Sequence, residues 1–131
     1  MIAVVDASIA VEYLLRTALG EQSALLLESS TLVAPELLDV EIFSVLRRAV
    51  RRNELSATRA REALEDLEVW AVQRLEHRRL WKKAWSYRQT VSGYDAFYVA
   101  AAAMYDAPLL TADGHLARAP KLGVLIQNLR R

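Results

Sequence analysis

Residues 2–8 read IAVVDAS: four apolar residues, a carboxylate directly after them, then two small residues. So short an apolar run suits a buried strand. Residues 8–15 then carry a helical pattern. The same alternation recurs along the chain. Strands are expected near 2–5 (IAVV), 31–34 (TLVA), 69–73 (VWAVQ), 108–111 (PLLT) and 124–127 (VLIQ). Helices are expected near 8–15, 20–29, 36–52, 56–67, 76–91 and 93–105, with a short one after Asp113. Strand followed by helix, repeated, argues for a mainly parallel sheet covered on both faces. The expected fold is a three-layer α/β/α sandwich with about five strands. Pro35, Pro108 and Pro120 each stand at an expected element boundary, where the missing N–H does least harm.

The chain has 131 residues, which suits one compact domain, 1–131, with a real core. Hydrophobic residues make up 53% and charged residues 25%, the balance of a soluble globular protein. No stretch is long enough for a membrane span, and Asp6 breaks the apolar start too early for a signal peptide, so the cytoplasm is the expected location. With no cysteine, disulfides, thiolate metal sites and a cysteine nucleophile are all excluded. Two histidines, His77 and His115, leave little for a zinc site.

The formal net charge of +1 conceals an uneven distribution. From Arg47 to Arg88 there are 12 Lys or Arg against 6 acids, and elsewhere 5 against 10. A basic middle suits phosphate and an acid-rich remainder suits cations, although solvated helix faces would give the same count. On a wheel of segment 76–91, Leu80, Ala84, Tyr87 and Val91 share one face and point to the core. Trp81 and Trp85 fall beside that stripe among Arg78, Lys82 and Arg88. A core edge or subunit interface is one use of this pair, and base stacking beside basic groups is another.

In open α/β sheets, ligands bind outside the carboxyl ends of the strands. Asp6 follows the first strand directly, and Asp113 comes two residues after PLLT. Asp95 opens the apolar helix YDAFYVAAAA, and Glu41 lies one to two turns into the helix after the second strand. Each has a structural explanation too. Asp6 and Asp113 can be helix N-caps, and Ser92 to Asp95 has the spacing of a capping box. On the wheel Glu41 falls near Ser44, Arg48 and Arg52, whereas Asp39 lies within the apolar arc, so periodicity alone nominates Asp39. A parallel sheet would nevertheless bring these acids to one edge. At an effective dielectric of about 20, two carboxylates about 4 Å apart repel by about 4 kcal/mol, which a proton or a cation must relieve. An all-oxygen donor set selects a hard ion, Mg²⁺ or Mn²⁺.

The stretches VVDASIAVEYLL, APELLDVEIFSVLRR, YDAFYVAAAAMYDAPLLTAD and HLARAP together resemble the PIN-domain ribonucleases, and among them the VapC-type toxins of toxin–antitoxin systems. The similarity spans nearly the whole chain, in order. It implies a PIN-like fold and four catalytic, metal-holding acids: Asp6, Glu41, Asp95 and Asp113. It moves the choice from Asp39 to Glu41. Asp6 and Asp95 are expected as principal ligands, with Glu41 and Asp113 completing the site. Ser8 and Thr111 stand where similar proteins often keep a small polar group and are assigned to support the acids. The implied function is a Mg²⁺- or Mn²⁺-dependent endoribonuclease acting on structured RNA of the transfer or ribosomal class. The implied partners are a small cognate antitoxin and a second copy of the chain in a homodimer. Arg47, Arg48, Arg51 and Arg52, on the expected helix 36–52 and along the same polar side as Glu41, would draw phosphate toward the acids.

Three rivals stand beside this reading. A receiver-like phosphoacceptor domain wants an acidic pair and a lysine after its last strands; Asp6 has no acidic neighbour and LLTAD has no such lysine. A haloacid-dehalogenase-like phosphatase wants D-x-D, and its third position here is Ser8. The third rival is a PIN-like fold retained as a non-catalytic binding module. His115, on a short surface-like segment, is a minor candidate for acid–base work.

Overall fold

The computed structural model describes residues 1–119 and 122–130, so Pro120 lies outside the described residues. Five parallel strands form one sheet in the order β3-β2-β1-β4-β5: β1 (Ile2–Val5), β2 (Thr31–Pro35), β3 (Val72–Leu75), β4 (Leu109–Thr111) and β5 (Ile126–Asn128). Central β1 is paired on both sides, Val4 with Val33 of β2 and with Leu109 of β4. Ala3, Val4 and Val5 are fully buried, because helices cover both faces. This is the expected three-layer sandwich.

Connections set the layers. Between β1 and β2 lie α1 (Ala7–Leu15) and α2 (Ala18–Glu28); between β2 and β3 lie α3 (Leu37–Arg51) and α4 (Ala57–Val69). The chain moves steadily toward one edge through these strands, and right-handed crossovers place all four helices on one face. There α1 packs on α2, α3 and α4. From β3 the chain crosses back past the centre through α5 (Trp81–Trp85) and α6 (Gly93–Tyr105) to β4, then continues through α7 (Gly114–Ala117) to β5. The direction of travel is reversed, so α6 covers the other face, against β1 and β2. Its run of small buried residues, Val99 to Ala102, lets its backbone come close to the sheet. The strand order therefore reverses between β1 and β4, and a crevice opens at their carboxyl ends.

Three expected elements differ, the last strand only in bounds, running Ile126–Asn128 where 124–127 is expected. The strand expected at 69–73 begins instead at Val72, because α4 runs through Val69. Ala60, Ala63 and Leu67 bury one face of α4, and this helical packing outweighs the strand preference of VWAVQ. Arg74 then fixes the exit from α4, its guanidinium donating to the carbonyls of Leu67, Trp70 and Val72. The helix expected over 76–91 is broken into a 3-10 turn at His77–Arg79, the short α5, and a series of turns. His77 Nε2 accepts the Leu37 N–H at 2.8 Å, pinning the start of the segment to the top of α3. Beyond α5, Tyr87, Arg88 and Thr90 bond three residues back rather than four, and Ser86 Oγ occupies the Lys83 carbonyl. The expected inward stripe survives the break, with Leu80, Ala84 and Tyr87 buried.

Among the described residues no helix is long and apolar enough to cross a membrane.

Candidate active site

Asp6 leaves β1 at the crevice and is only 5% exposed. Its side chain caps α1, with Oδ1 accepting the Ile9 N–H at 3.2 Å. Two hydroxyls complete its surroundings. Ser8 Oγ donates to Oδ1 at 2.6 Å, and Thr111 Oγ1 donates to Oδ2. Each hydroxyl also accepts a backbone N–H from the loop after β4: Ala112 to Ser8 at 2.8 Å and Asp113 to Thr111 at 2.9 Å. With their protons committed to Asp6, the two hydroxyl oxygens, 3.2 Å apart, are neighbours and not a donor–acceptor pair. This network ties the ends of β1 and β4 together.

Asp113 caps α7, its Oδ1 accepting from the N–H groups of His115 and Leu116. Ser92 caps α6 by accepting the Asp95 N–H at 3.1 Å, which seats Asp95 in the first turn. Glu41 projects from α3, half-buried. Its rival Asp39, two positions earlier and so on another side of the helix, turns to the sheet edge and pairs with Arg74 at 2.9 Å. The acid nominated by the wheel thus has a structural partner, and Glu41 faces the crevice acids.

The four acids meet electrostatically. Burial pushes the Asp6 carboxyl above its ordinary range against the pull of its hydrogen bonds, with the Asp95 charge adding to the rise. Burial likewise raises Glu41, reinforced by Asp95 and Asp6. It also raises Asp95, with Asp113 contributing and His115 opposing. Asp6, Glu41 and Asp95, far apart in sequence, thus act on one another at the β1/β4 crevice, and Asp113 acts on Asp95. Among the described residues no three carboxylates or histidines stand close enough to make a ready-formed metal cage. The donor set is all oxygen and mutually repulsive. It fits a hard divalent ion held by a few carboxylates and several waters, the usual habit of Mg²⁺.

Tyr98 was not among the sequence candidates. It lies one turn after Asp95 on α6, buried, with its hydroxyl toward the Glu41 carboxylate but outside good hydrogen-bond geometry. Burial, then the Glu41 carboxylate beside it through hydrogen bonding and charge, raises its titration well above the ordinary phenol range, so it is a neutral group set toward Glu41. The available signal was a hydroxyl three residues from Asp95 in an otherwise apolar helix.

Arg47, Arg48, Arg51 and Arg52 are exposed, and none makes an ion pair among the described residues. Helical geometry puts Arg48 and Arg52 on the Glu41 side, about 10 Å and about 16 Å further along α3. Arg47 and Arg51, expected on that side too, are instead turned away by roughly a third and a quarter of a turn, because six and ten residues do not close whole helical turns. Trp81 and Trp85 are 51% and 62% exposed, so neither serves the core.

Comparison with known proteins gives the family and the fold. The family model described as PIN domain matches residues 3–122. Ribonuclease VapC1 of Mycobacterium tuberculosis is 45% identical over 106 residues, covering 80% of each chain. Ribonuclease VapC9 of the same organism is 40% identical over 114 residues, 87% of each. Among solved structures, VapBC2 from Rickettsia felis, bound to a DNA fragment from its promoter, has a TM-score of 0.65 at 13% identity and covers 98% of both chains. The Mycobacterium tuberculosis VapC20, described as a Sarcin-Ricin loop cleaving toxin, has a TM-score of 0.64 at 18% identity, covering 88% of this chain and 92% of that one. Both share the fold.

Proposed function

Because the chain belongs to the PIN domain family and is related to its VapC ribonucleases, we propose that it is a divalent-metal-dependent endoribonuclease, the toxin of a type II toxin–antitoxin pair. The observation that carries this reading is the gathering of Asp6, Glu41 and Asp95, whose charges raise one another's carboxyls, with Asp113 acting on Asp95, at the point where strand order reverses. Residues 1–131 act as one domain, in the cytoplasm.

Asp6 and Asp95 are the principal ligands for Mg²⁺ or Mn²⁺, and Glu41 and Asp113 complete the site. When bound, a divalent ion lowers the pKa of its water and neutralises charge growing on the scissile phosphate. The chain's own work is positional. Ser8 and Thr111 fix both oxygens of Asp6, and with Ile9 also on Oδ1 the one unused lone pair, on Oδ2, remains for ligation. Tyr98 presents a neutral hydroxyl toward Glu41, and burial of Asp6 strengthens its interactions with the half-buried acids around it. Arg48 and Arg52 extend the Glu41 side of α3 as a phosphate track, with Arg47 and Arg51 at its flank.

The name VapBC2 denotes a toxin with its antitoxin, and a small antitoxin is the proposed partner here. An Arg from such a chain would satisfy crevice carboxylates through two parallel hydrogen bonds and silence the site. A homodimer is the proposed assembly. The proposed substrate is structured RNA of the transfer or ribosomal class, cut where bases are unstacked.

Cleavage of a labelled RNA pool with and without Mg²⁺ or Mn²⁺ tests this, with Asp6→Asn beside the native chain. Divalent-dependent cuts that fall by at least about a hundredfold in Asp6→Asn are expected. Cleavage in EDTA, or full activity in Asp6→Asn, would refute the metal mechanism. Binding of RNA without cleavage under any divalent ion would favour the non-catalytic module.

A further inference from the structure

The segment after β3 carries two exposed indoles within a cluster of cations. Trp81 and Trp85 lie one turn apart on α5, beside the buried stripe of Leu80 and Ala84, and share an exposed face. Each has a cation at its ring. Lys82 Nζ is 5.8 Å from the Trp81 centroid, and the Arg88 guanidinium is 4.9 Å from that of Trp85. Arg88 is held there by donating to the Trp85 carbonyl at 3.1 Å. From Glu76 to Arg88 there are five Lys or Arg and one acid, and that acid is paired with Arg78 at 2.8 Å. Four cations are thus left without an acid in the segment.

Such an exposed apolar patch calls for an occupant. A second copy of the chain docking by two-fold symmetry would set the patch against itself, four uncompensated cations against four. A single-stranded polyanion meets both features at once, its bases stacking on the indoles and its phosphates meeting the cations. Location agrees. The segment leaves the carboxyl end of β3, the same sheet edge that Asp6 occupies on β1, and α5 packs on α6, whose first turn bears Asp95. We propose that Trp81 and Trp85, with Lys82 and Arg88, form a stacking platform for unpaired bases of the RNA cut at the acid site. This deepens the endoribonuclease reading and rests on it. It makes an unpaired segment reaching from crevice to α5 a requirement of the substrate.

Binding of a short labelled single-stranded RNA, and of a duplex of the same sequence, can be measured by anisotropy in EDTA with Asp6→Asn as the parent. The strand is expected to bind more tightly than the duplex. Trp81→Ala or Trp85→Ala should weaken strand binding by about five- to 150-fold, and Trp→Phe at either position should retain most of the affinity. Exposure of both side chains leaves the fold intact, which circular dichroism checks. Equal affinity in the double alanine variant, or equal binding of strand and duplex, would overturn the proposal. So would a change from dimer to monomer on sedimentation with RNA affinity unaltered, which would assign the face to a second copy. Cleavage is read separately on the native chain with Mg²⁺. An absence of cleavage there with the tryptophan effect intact would retire the nuclease reading alone, and cleavage without any tryptophan effect would retire the platform alone.

Discussion

Thr111 at the end of β4 donates its hydroxyl proton to Asp6 at the end of β1, while its oxygen accepts the N–H of Asp113. One side chain thereby orients one site carboxylate and anchors the loop that carries another. Thr111→Val keeps the shape and removes both interactions. A buried carboxylate oxygen loses its donor and a backbone N–H its acceptor, so the expected cost near neutral pH is about 2–4 kcal/mol. Cleavage should fall about 10- to 100-fold, the usual effect of removing a group that orients a metal ligand. Thr111→Ser should restore most of both. Denaturant titration and single-turnover cleavage read the two effects, and a fully active Thr111→Val would show that the hydroxyl does not orient the site.

The acid cluster makes the metal-free protein sensitive to pH in a definite direction. Burial raises the carboxyls of Asp6, Glu41 and Asp95 above ordinary values of 3.8, 4.5 and 3.8. Between those values and the raised folded ones, the native chain holds more protons than the unfolded chain, so stability falls as pH rises through that interval. In EDTA, Tm should therefore be higher at mildly acidic pH than at pH near 7.5. Asp95→Asn, which cannot ionise, should raise the neutral-pH Tm and flatten the slope. Mg²⁺ should produce a similar rise in the native chain and a smaller one in Asp95→Asn. A metal-free Tm that climbs steadily from acidic to neutral pH would contradict the sign.

Asp39 and Glu41 show where sequence reading stops. Both are acids near the start of α3, and hydrophobic periodicity favoured Asp39 as the inward one. It is instead half-exposed at the sheet edge, where Arg74 meets it. Nothing in the α3 sequence announces that partner, because Arg74 lies 35 residues away on a strand whose start was itself placed too early. The matched motif pattern, not the wheel, separated the two. The strand–helix alternation was legible because each central strand is short, apolar and doubly covered, as in IAVV. Segment 76–91 was less so. Its apolar stripe was correct, yet the break at Leu80 depends on His77 accepting a bond from Leu37, a long-range contact that periodicity cannot carry.

The same pair gives a clean division of labour. Asp39→Ala should cost about 1 kcal/mol through the lost ion pair, which is partly exposed, and leave cleavage unchanged. Glu41→Gln should reverse the pattern, with cleavage reduced by at least about tenfold and stability held or raised. Arg74→Ala should cost more than Asp39→Ala, about 2–3 kcal/mol, because three carbonyls around the end of α4 also lose their donor. Parallel melts and cleavage assays on the three variants test this. An inactive Asp39→Ala with an active Glu41→Gln would return the site to the wheel's choice.

Gly20 and Gly93 offer a matched test of packing on the two faces of the sheet. Gly20 sits in the first turn of α2, its N–H accepted by the Thr17 hydroxyl. A Cβ there would lie 2.0 Å from the Glu12 carbonyl oxygen and 2.9 Å from Tyr13 Cα. Both are backbone atoms of α1, so no side chain can move aside, and α2 must shift away from α1. Gly20→Ala should therefore cost about 3 kcal/mol, at the upper end for overpacking, despite the better helix propensity of alanine. At Gly93, the first residue of α6, a Cβ meets nothing within 4 Å. There the restricted unfolded chain should dominate, and Gly93→Ala should stabilise by about 0.4–1 kcal/mol. Chemical denaturation of the two variants should move the midpoint in opposite directions, and a neutral Gly20→Ala would mean that α1 and α2 are not in this close contact in solution.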